Sequence, residues 1–470
     1  MNEKRLWGRV VMLGASGLML AMASVRSAAT GTGTPSDVPM SRPGDCLAVL
    51  DGIAHHASWA EAPDGSLLMV WGGITFPTLF ANSRDGGLTW SKPREAREVS
   101  GQVLSGHDTN SLIRLADGAI GFVNRTRNQS KEPDHLLFWR SEDGGNTWQK
   151  PVRIGPKVDH EVTCIHDGLT RTSSGRIVLP VYGRMELAND PLARRTEIGA
   201  FLHNQWMRIA VHENDSRFSW SYVFYSDDEG RTWQTSRSGN LVVWDPERMT
   251  WHRTSQPSVA EVAPGKLLML LRTDLGRLYQ SWSNDNGDTW TLPRPSSLAS
   301  PLFPAQLRTI PGTGDLLVVW TQTSEEEIRK GLGRGRLSSA ISRKHGGQGA
   351  LWEFYQNIES ILEGTRVEPG PIRFTRPEGV FYDQGQAAPQ RQPQYVVNLP
   401  DNYASMACPS VFFYKDRVLI ANAYEGQYRP DGSHVYGRLK VLPISWLYGG
   451  VTGLQSNKFG EELRKRFPQK

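Results

Sequence analysis

The sequence predicts an all-β chain closed as a six-bladed β-propeller of four-stranded antiparallel blades, on three observations. First, the eight-residue phrase Ser-x-Asp-x-Gly-x-Thr-Trp stands four times: SRDGGLTW at 83–90, SEDGGNTW at 141–148, SDDEGRTW at 226–233 and SNDNGDTW at 283–290. A worn copy, SRKHGGQGALW, covers 342–352. The steps between the leading serines are 58, 85, 57 and 59 residues, and self-similarity at such a period marks a solenoid, propeller or array. Second, six apolar–turn–apolar phrases accompany them: WAEAPDGSLLMVWGG, SLIRLADGAIGFVNR, LTRTSSGRIVLPVYG, SVAEVAPGKLLMLLR, LRTIPGTGDLLVVWT and SVFFYKDRVLIANAY. Each reads as a hairpin of two mostly buried strands. Third, 16 Trp, 47 Gly and 29 Pro with little helical periodicity favour strands and turns. Six hairpins, five of them followed by a clear or worn copy of the phrase, give about four strands per unit, and such units can close around an axis without a long exposed edge.

In chain order, residues 1–29 read as a secretory signal peptide. Lys4, Arg5 and Arg9 form a basic start, residues 10–23 are apolar but short for a membrane span, and Ala21/Ala23 or Ser27/Ala29 offer cleavage sites. The chain is therefore expected to be secreted or periplasmic, with no stable membrane insertion after cleavage. Residues 30–44, rich in Gly, Thr, Ser and Pro, read as a flexible lead-in. The propeller is assigned to 45–450 and a charged tail to 451–470. Insertions fall at 185–217 in the third blade and about 358–402 before the last hairpin, the second holding the polar stretch QGQAAPQRQPQ.

The formal charge of +5 includes Lys4, Arg5, Arg9 and Arg26 against Glu3, so removal of the signal leaves +2; this is no nucleic-acid footprint. Three cysteines, Cys46, Cys164 and Cys408, allow one internal disulfide at most. No His-x-x-x-His or Cys-x-x-Cys spacing suggests a metal, and no cofactor is expected.

The phrase itself is turn chemistry. The Asp carboxylate caps nearby N–H groups, Gly supplies positive φ, and Thr-Trp opens the next strand. Aligning the six hairpins by their turns shows what stands at the rim. Seven residues past Gly65, Gly118, Gly175, Gly265 and Gly314 lie Gly72, Arg125, Tyr182, Arg272 and Thr321, with Tyr424 equivalent in the last blade. About ten residues back lie His55/His56, His107/Asp108, His166/Asp167, Ser255/Gln256, Pro304 and Cys408. Histidines in three consecutive blades, paired carboxylates, arginines and tyrosines converging on one end of an axis describe a candidate active site.

The repeated phrase is that of the Asp-box, and the chain resembles the sialidase (neuraminidase) superfamily. The resemblance implies a propeller whose Asp-boxes lie at the blade periphery, away from the chemistry. It also implies three arginines that grip the sugar carboxylate, a Tyr nucleophile paired with a Glu, and an Asp acid/base in an early loop. Arg272 matches the second arginine; Arg334, with Arg336 as the alternative, matches the third. His55 stands at the position of the first arginine, Gln256 at that of the Glu and Cys408 at that of the Tyr, and the loop GGITFPTLF has no Asp.

The leading expectation is a secreted exo-glycosidase of sialidase type acting on an acidic sugar of a glycan. His56, His107, Asp108, His166, Asp167 and Tyr182 are the catalytic candidates. Arg125, Arg272, Arg334, Gln256 and Tyr424 are the substrate-binding candidates. Two alternatives remain open. One is a lyase that removes the C5 proton of a uronate with His or Tyr, as some polysaccharide lyases resembling this propeller class do. The other is a non-catalytic glycan-binding propeller.

Overall fold

A computed structural model describes residues 45–72, 78–104, 107–126, 133–185, 199–202, 205–208, 218–245, 250–273, 275, 277–301, 303–322, 335–344, 348–349, 351–360, 405–425 and 437–449. Expectations for 1–44 and 450–470 lie outside these residues. The architecture is the expected one: six antiparallel blades in a propeller. Blade 1 is Ser58–Glu61, Leu67–Trp71, Leu79–Ser83 and Arg94–Glu95, from the axis outward. Blade 2 is His107–Arg114, Ile120–Arg125, Leu136–Ser141 and Val152–Arg153. In blade 3 the inner strand is broken into Glu161–Cys164 and Thr170–Arg171, followed by Ile177–Met185, Phe218–Ser226 and Gln234–Thr235. Blade 4 is Ser255–Ala263, Lys266–Arg272, Arg277–Ser283 and Arg294–Ala299; blade 5 is Ala305–Thr309, Leu316–Thr321, Arg336–Ser342 and Glu353–Ser360. Blade 6 is Ser405–Tyr414, Arg417–Glu425, Gly437–Pro443 and, as its outer strand, the N-terminal Ala48–Asp51.

That last pairing was not anticipated from the sequence. Ala48–Asp51 aligns antiparallel with Val441–Arg438, and the Arg438 guanidinium donates to both Asp51 oxygens at 2.6 and 3.1 Å. The two ends of the described propeller are thereby sewn into one sheet, which removes the edge that an unpartnered sixth blade would expose.

The apolar residues collect between blades. Leu67–Trp71 is buried on both faces because each face meets a neighbouring blade: Leu67 and Met69 pack with Leu419 and Val441 of blade 6, and Leu68 and Val70 with Leu112 and Phe122 of blade 2. Equivalent clusters join blades 2 and 3, 3 and 4, 4 and 5, and 5 and 6. Six interfaces in a closed cycle explain why the second strands carry near-continuous apolar runs.

The Asp-boxes lock these interfaces at the periphery. In the first, Asp85 accepts from the N–H groups of Leu88 and Thr89 and from the hydroxyls of Ser83 and Thr89, while Gly87 N–H donates to Ser83 Oγ at 2.8 Å. In the first three boxes the glycine at the fifth position then faces the preceding blade. A Cβ on Gly87 would stand 2.7 Å from Leu419, on Gly145 2.3 Å from Leu68, and on Gly230 2.1 Å from Phe138. The worn copy keeps the device, with Gly349 against Trp282 and Leu268 and its N–H on Ser342 Oγ. These glycines are required for the close approach as well as for positive φ.

Candidate functional site

The site face is set by topology. Inner strands start there and second strands end there. The opposite face carries the short hairpin turns and the Asp-boxes. Strand ends gathered at one end of a rigid scaffold are where binding and chemistry concentrate.

A local backbone device repeats at this rim. His56, Thr109, Asp167, Gln256 and Cys408, one at the inner-strand start of each of five blades, all have positive φ between 42° and 59°. Register shifts follow in blades 2, 4 and 6, so an extra residue is accommodated and the side chain beside it is re-aimed. Left-handed backbone at non-glycine residues is strained, and its repetition at one end of the axis is typical of a functional site.

Three imidazoles meet there. His55 and His56 stack with ring centroids 4.1 Å apart, and His56 stacks on His166 of blade 3 at 4.4 Å with planes 9° from parallel. His166 Nε2 lies 3.0 Å from the Cys408 carbonyl of blade 6. The turn carrying His55 and His56 is held by Gly72 N–H on the His55 carbonyl at 2.9 Å, and Asn110 Nδ2 reaches the Gly72 and His56 carbonyls at 2.8 and 3.4 Å. Gly437 lets that turn pass, since a Cβ there would stand 2.5 Å from the Ile53 carbonyl.

The cluster continues across the axis. Cys408 packs against Phe303, Ala407 and Ala423, and the Arg272 guanidinium lies over the Phe303 ring at 5.7 Å. Arg272 stands opposite Ser255 and donates to Gln256 Oε1. His55, His56, His166, Cys408, Phe303, Arg272 and Gln256 thus form one contiguous set drawn from five blades.

Asp167, adjacent to His166, points the other way. Its carboxylate accepts from Ser58 Oγ at 2.7 Å and Val411 N–H at 3.2 Å, and pairs with Arg308 at 2.8 Å. Its backbone N–H donates to Asn110 O, and its carbonyl takes Gln306 Nε2 at 2.6 Å. Burial pushes this carboxyl above its ordinary range against the pull of Arg308 and the donors. With its oxygens engaged by blades 1, 5 and 6, Asp167 is a tie across the axis, and the sequence-based reading of it as an acid/base group yields to that role. Serines extend the same inner ring: Ser58, Ser111 and Ser258 accept the N–H groups of Leu112, Leu169 and Leu307 of the next blades.

Arg125 and Tyr182 belong to a second cluster, between blades 2 and 3. Arg125 and Arg184 both pair with Glu161, Asp134 lies 3.8 Å from Arg125, and Arg184 sits 5.6 Å from the Tyr182 ring centre. Arg125 therefore already has carboxylate partners, Glu161 and Asp134, within the protein. His107 stands opposite Arg125 and Tyr424 opposite Met406. The side chains of His107, Asp108 and Tyr424, and all of Arg334, lie outside the described residues. Arg336, the alternative to Arg334, is buried at the start of its strand. Asn110, Glu161, Arg184, Gln306 and Arg308 escaped the sequence reading because they lie within strands, away from the aligned turn positions. The recurrent Ser before an apolar residue in HASW, TNSL, QPSV and CPSV was the visible trace of the ring.

Among the described residues no group of three or more His, Cys, Asp or Glu could hold a metal ion. Among the described residues no helix is long and apolar enough to cross a membrane.

The class defined by this fold is the sialidase-type propeller, and comparisons with known proteins agree. The BNR repeat-like domain matches residues 126–360, half of the chain, and the chain belongs to that family. Among solved structures, the Hadza microbial sialidase superposes with a TM-score of 0.51 at 15% identity, covering 86% of this chain and 67% of that one. A protein of unknown function from Dyadobacter fermentans gives 0.51 at 16% identity, covering 86% of this chain and 100% of its own. The NanB sialidase of Streptococcus pneumoniae gives 0.50 at 11%, covering 84% and 69%. None of the curated proteins compared with the chain matches it.

Proposed function

We propose that the chain is an exported carbohydrate-active enzyme of the sialidase-like class, acting on an acidic sugar of a glycan at the propeller axis. The observation that carries the reading is the contiguous set from the histidine stack through Cys408 and Phe303 to Arg272 and Gln256. Arg272 receives the sugar carboxylate, for which a planar guanidinium is suited, with the neutral Gln256 amide as the partner that gives way. Gln256 cannot accept a proton as the Glu of the resemblance would, so proton transfer falls to His56 and His166. Their rings lie 4.4 Å apart, which places both within reach of one reacting centre.

With this set, His56 or His166 donates a proton to the glycosidic oxygen as it leaves, and the same imidazole takes a proton back from the water that adds to the anomeric carbon. The same set permits a second reaction. Arg272 neutralising a uronate carboxylate while an imidazole removes the C5 proton gives β-elimination, and the absence of Tyr and Glu at positions 408 and 256 favours keeping this reading.

The test is product analysis of purified protein with sialylated, uronate-containing and sulfated glycans. Release of the free acidic sugar supports hydrolysis; ultraviolet absorbance of an unsaturated uronate selects the lyase. Glycan binding that needs Arg272 but yields no product on any substrate overturns the enzyme reading in favour of a binding propeller.

A further inference from the structure

Between the outer strand of blade 3 and the inner strand of blade 4 the chain forms a short hairpin, Val243–Asp245 with Thr250–His252. Its pairing divides it into two faces, because directly opposed residues project to the same side. Val243 and His252 are opposed, and both are buried, Val243 within the core between blades 3 and 4. Trp244 and Trp251 are opposed on the other face, with ring centroids 4.5 Å apart and exposures of 37% and 51%. Trp59, Trp139, Trp148 and Trp320, by contrast, are fully buried.

The hairpin is anchored beside the candidate site. Leu241 and Ser221 exchange backbone hydrogen bonds at 2.7 and 3.1 Å, and the Thr254 hydroxyl lies 2.5 Å from the Leu241 carbonyl and 2.9 Å from Ser221 Oγ. Ser221 stands opposite Tyr182, and Ser255, next after Thr254, stands opposite Arg272. The indole pair therefore rises from the rim between the ends of the second strands of blades 3 and 4. Three residues lie between Trp251 and Ser255, four steps along the chain and a reach of at most about 14 Å.

We propose that Trp244 and Trp251 form a stacking platform for a neutral sugar ring, a subsite for the part of a glycan that lies beyond the acidic residue held by Arg272. The proposal rests on the reading of the rim as a glycan site. The exposed indole surface amounts to about 200 Å², far below the roughly 800 Å² per partner of a stable protein interface. It suits the apolar C–H face of one pyranose ring whose hydroxyls remain in water. The hairpin is rigidly based, so the platform costs little ordering on binding.

The test is a titration of the full chain with neutral linear hexose oligosaccharides, disaccharide to hexasaccharide, followed by tryptophan fluorescence. Saturable quenching is expected in the wild type and in Arg272→Ala, retained in Trp251→Phe, and weakened about tenfold in affinity or lost in Trp251→Ala. Quenching unchanged in Trp244→Ala/Trp251→Ala, or none with any oligosaccharide, overturns the platform even if turnover of acidic substrates persists. Quenching that survives without turnover on any substrate keeps the platform and rejects the enzyme reading instead. Conversion of a dimer to a monomer by Trp251→Ala in sedimentation, or loss of binding to anionic vesicles, assigns the pair to self-association or a membrane and overturns the sugar subsite.

Discussion

At the scale of single residues, Asp167 and Arg308 show how the axis is held. Asp167 is enclosed by side chains and backbone from blades 1, 2, 5 and 6, and Arg308 beside it is mostly buried. Asp167→Asn leaves the guanidinium without its counter-charge and is expected to cost about 3–5 kcal/mol in chemical denaturation. A carboxyl raised by burial is one the native state protonates more easily than the unfolded chain. By itself it makes stability fall as pH rises from its ordinary value of 3.8 toward its folded value. His166, one residue earlier, turns its ring to the rim. The positive φ of Asp167 separates the directions of two adjacent side chains, one to the structural ring and one to the site.

At the scale of elements, the Asp-box is a latch between blades. Gly145→Ala meets Leu68 and must keep a left-handed backbone, so a loss of roughly 1–3 kcal/mol is expected. Gly65→Ala, in an open hairpin turn with similar φ, is expected to lose only about 1 kcal/mol. Thermal denaturation of the two variants separates close approach from backbone strain. The box carboxylates predict a pH response as well. Partial burial raises Asp85, Asp143, Asp228 and Asp285, but the Thr, Ser and backbone donors outweigh it and leave each below 3.8. A depressed folded value stabilises the protein above 3.8 and is lost as pH falls through it toward the folded values. Melting temperature should therefore be level above about pH 5 and drop steeply below about pH 4, more steeply than in Asp143→Asn. This opposes the single contribution of Asp167. The boxes and hairpins were legible in the sequence because local turn chemistry dictates them. The Asp167–Arg308 tie and the Glu161 cluster were not, since long-range convergence leaves no local pattern.

At the scale of the whole molecule, closure depends on Ala48–Asp51 as the outer strand of blade 6. Deleting 45–52 removes that strand and the Asp51–Arg438 pair, exposes the edge of Gly437–Pro443, and is expected to lower the melting temperature by roughly 5–10 °C with concentration-dependent aggregation. Pairing of the first strand with the last could not be read from the repeats, because the closing strand is short and carries neither repeated phrase. The repeat register did bring out His56, His166, Arg272, Gln256 and Cys408 together, since equivalent positions in successive blades share one end of the axis. The central claim, that this rim performs histidine-based chemistry on an acidic sugar, is tested most directly by steady-state kinetics of His166→Asn on the best acidic glycan substrate. The expected result is a kcat lowered at least about 100-fold with KM little changed and the melting temperature within a few degrees of wild type; full turnover by His166→Asn would contradict the account.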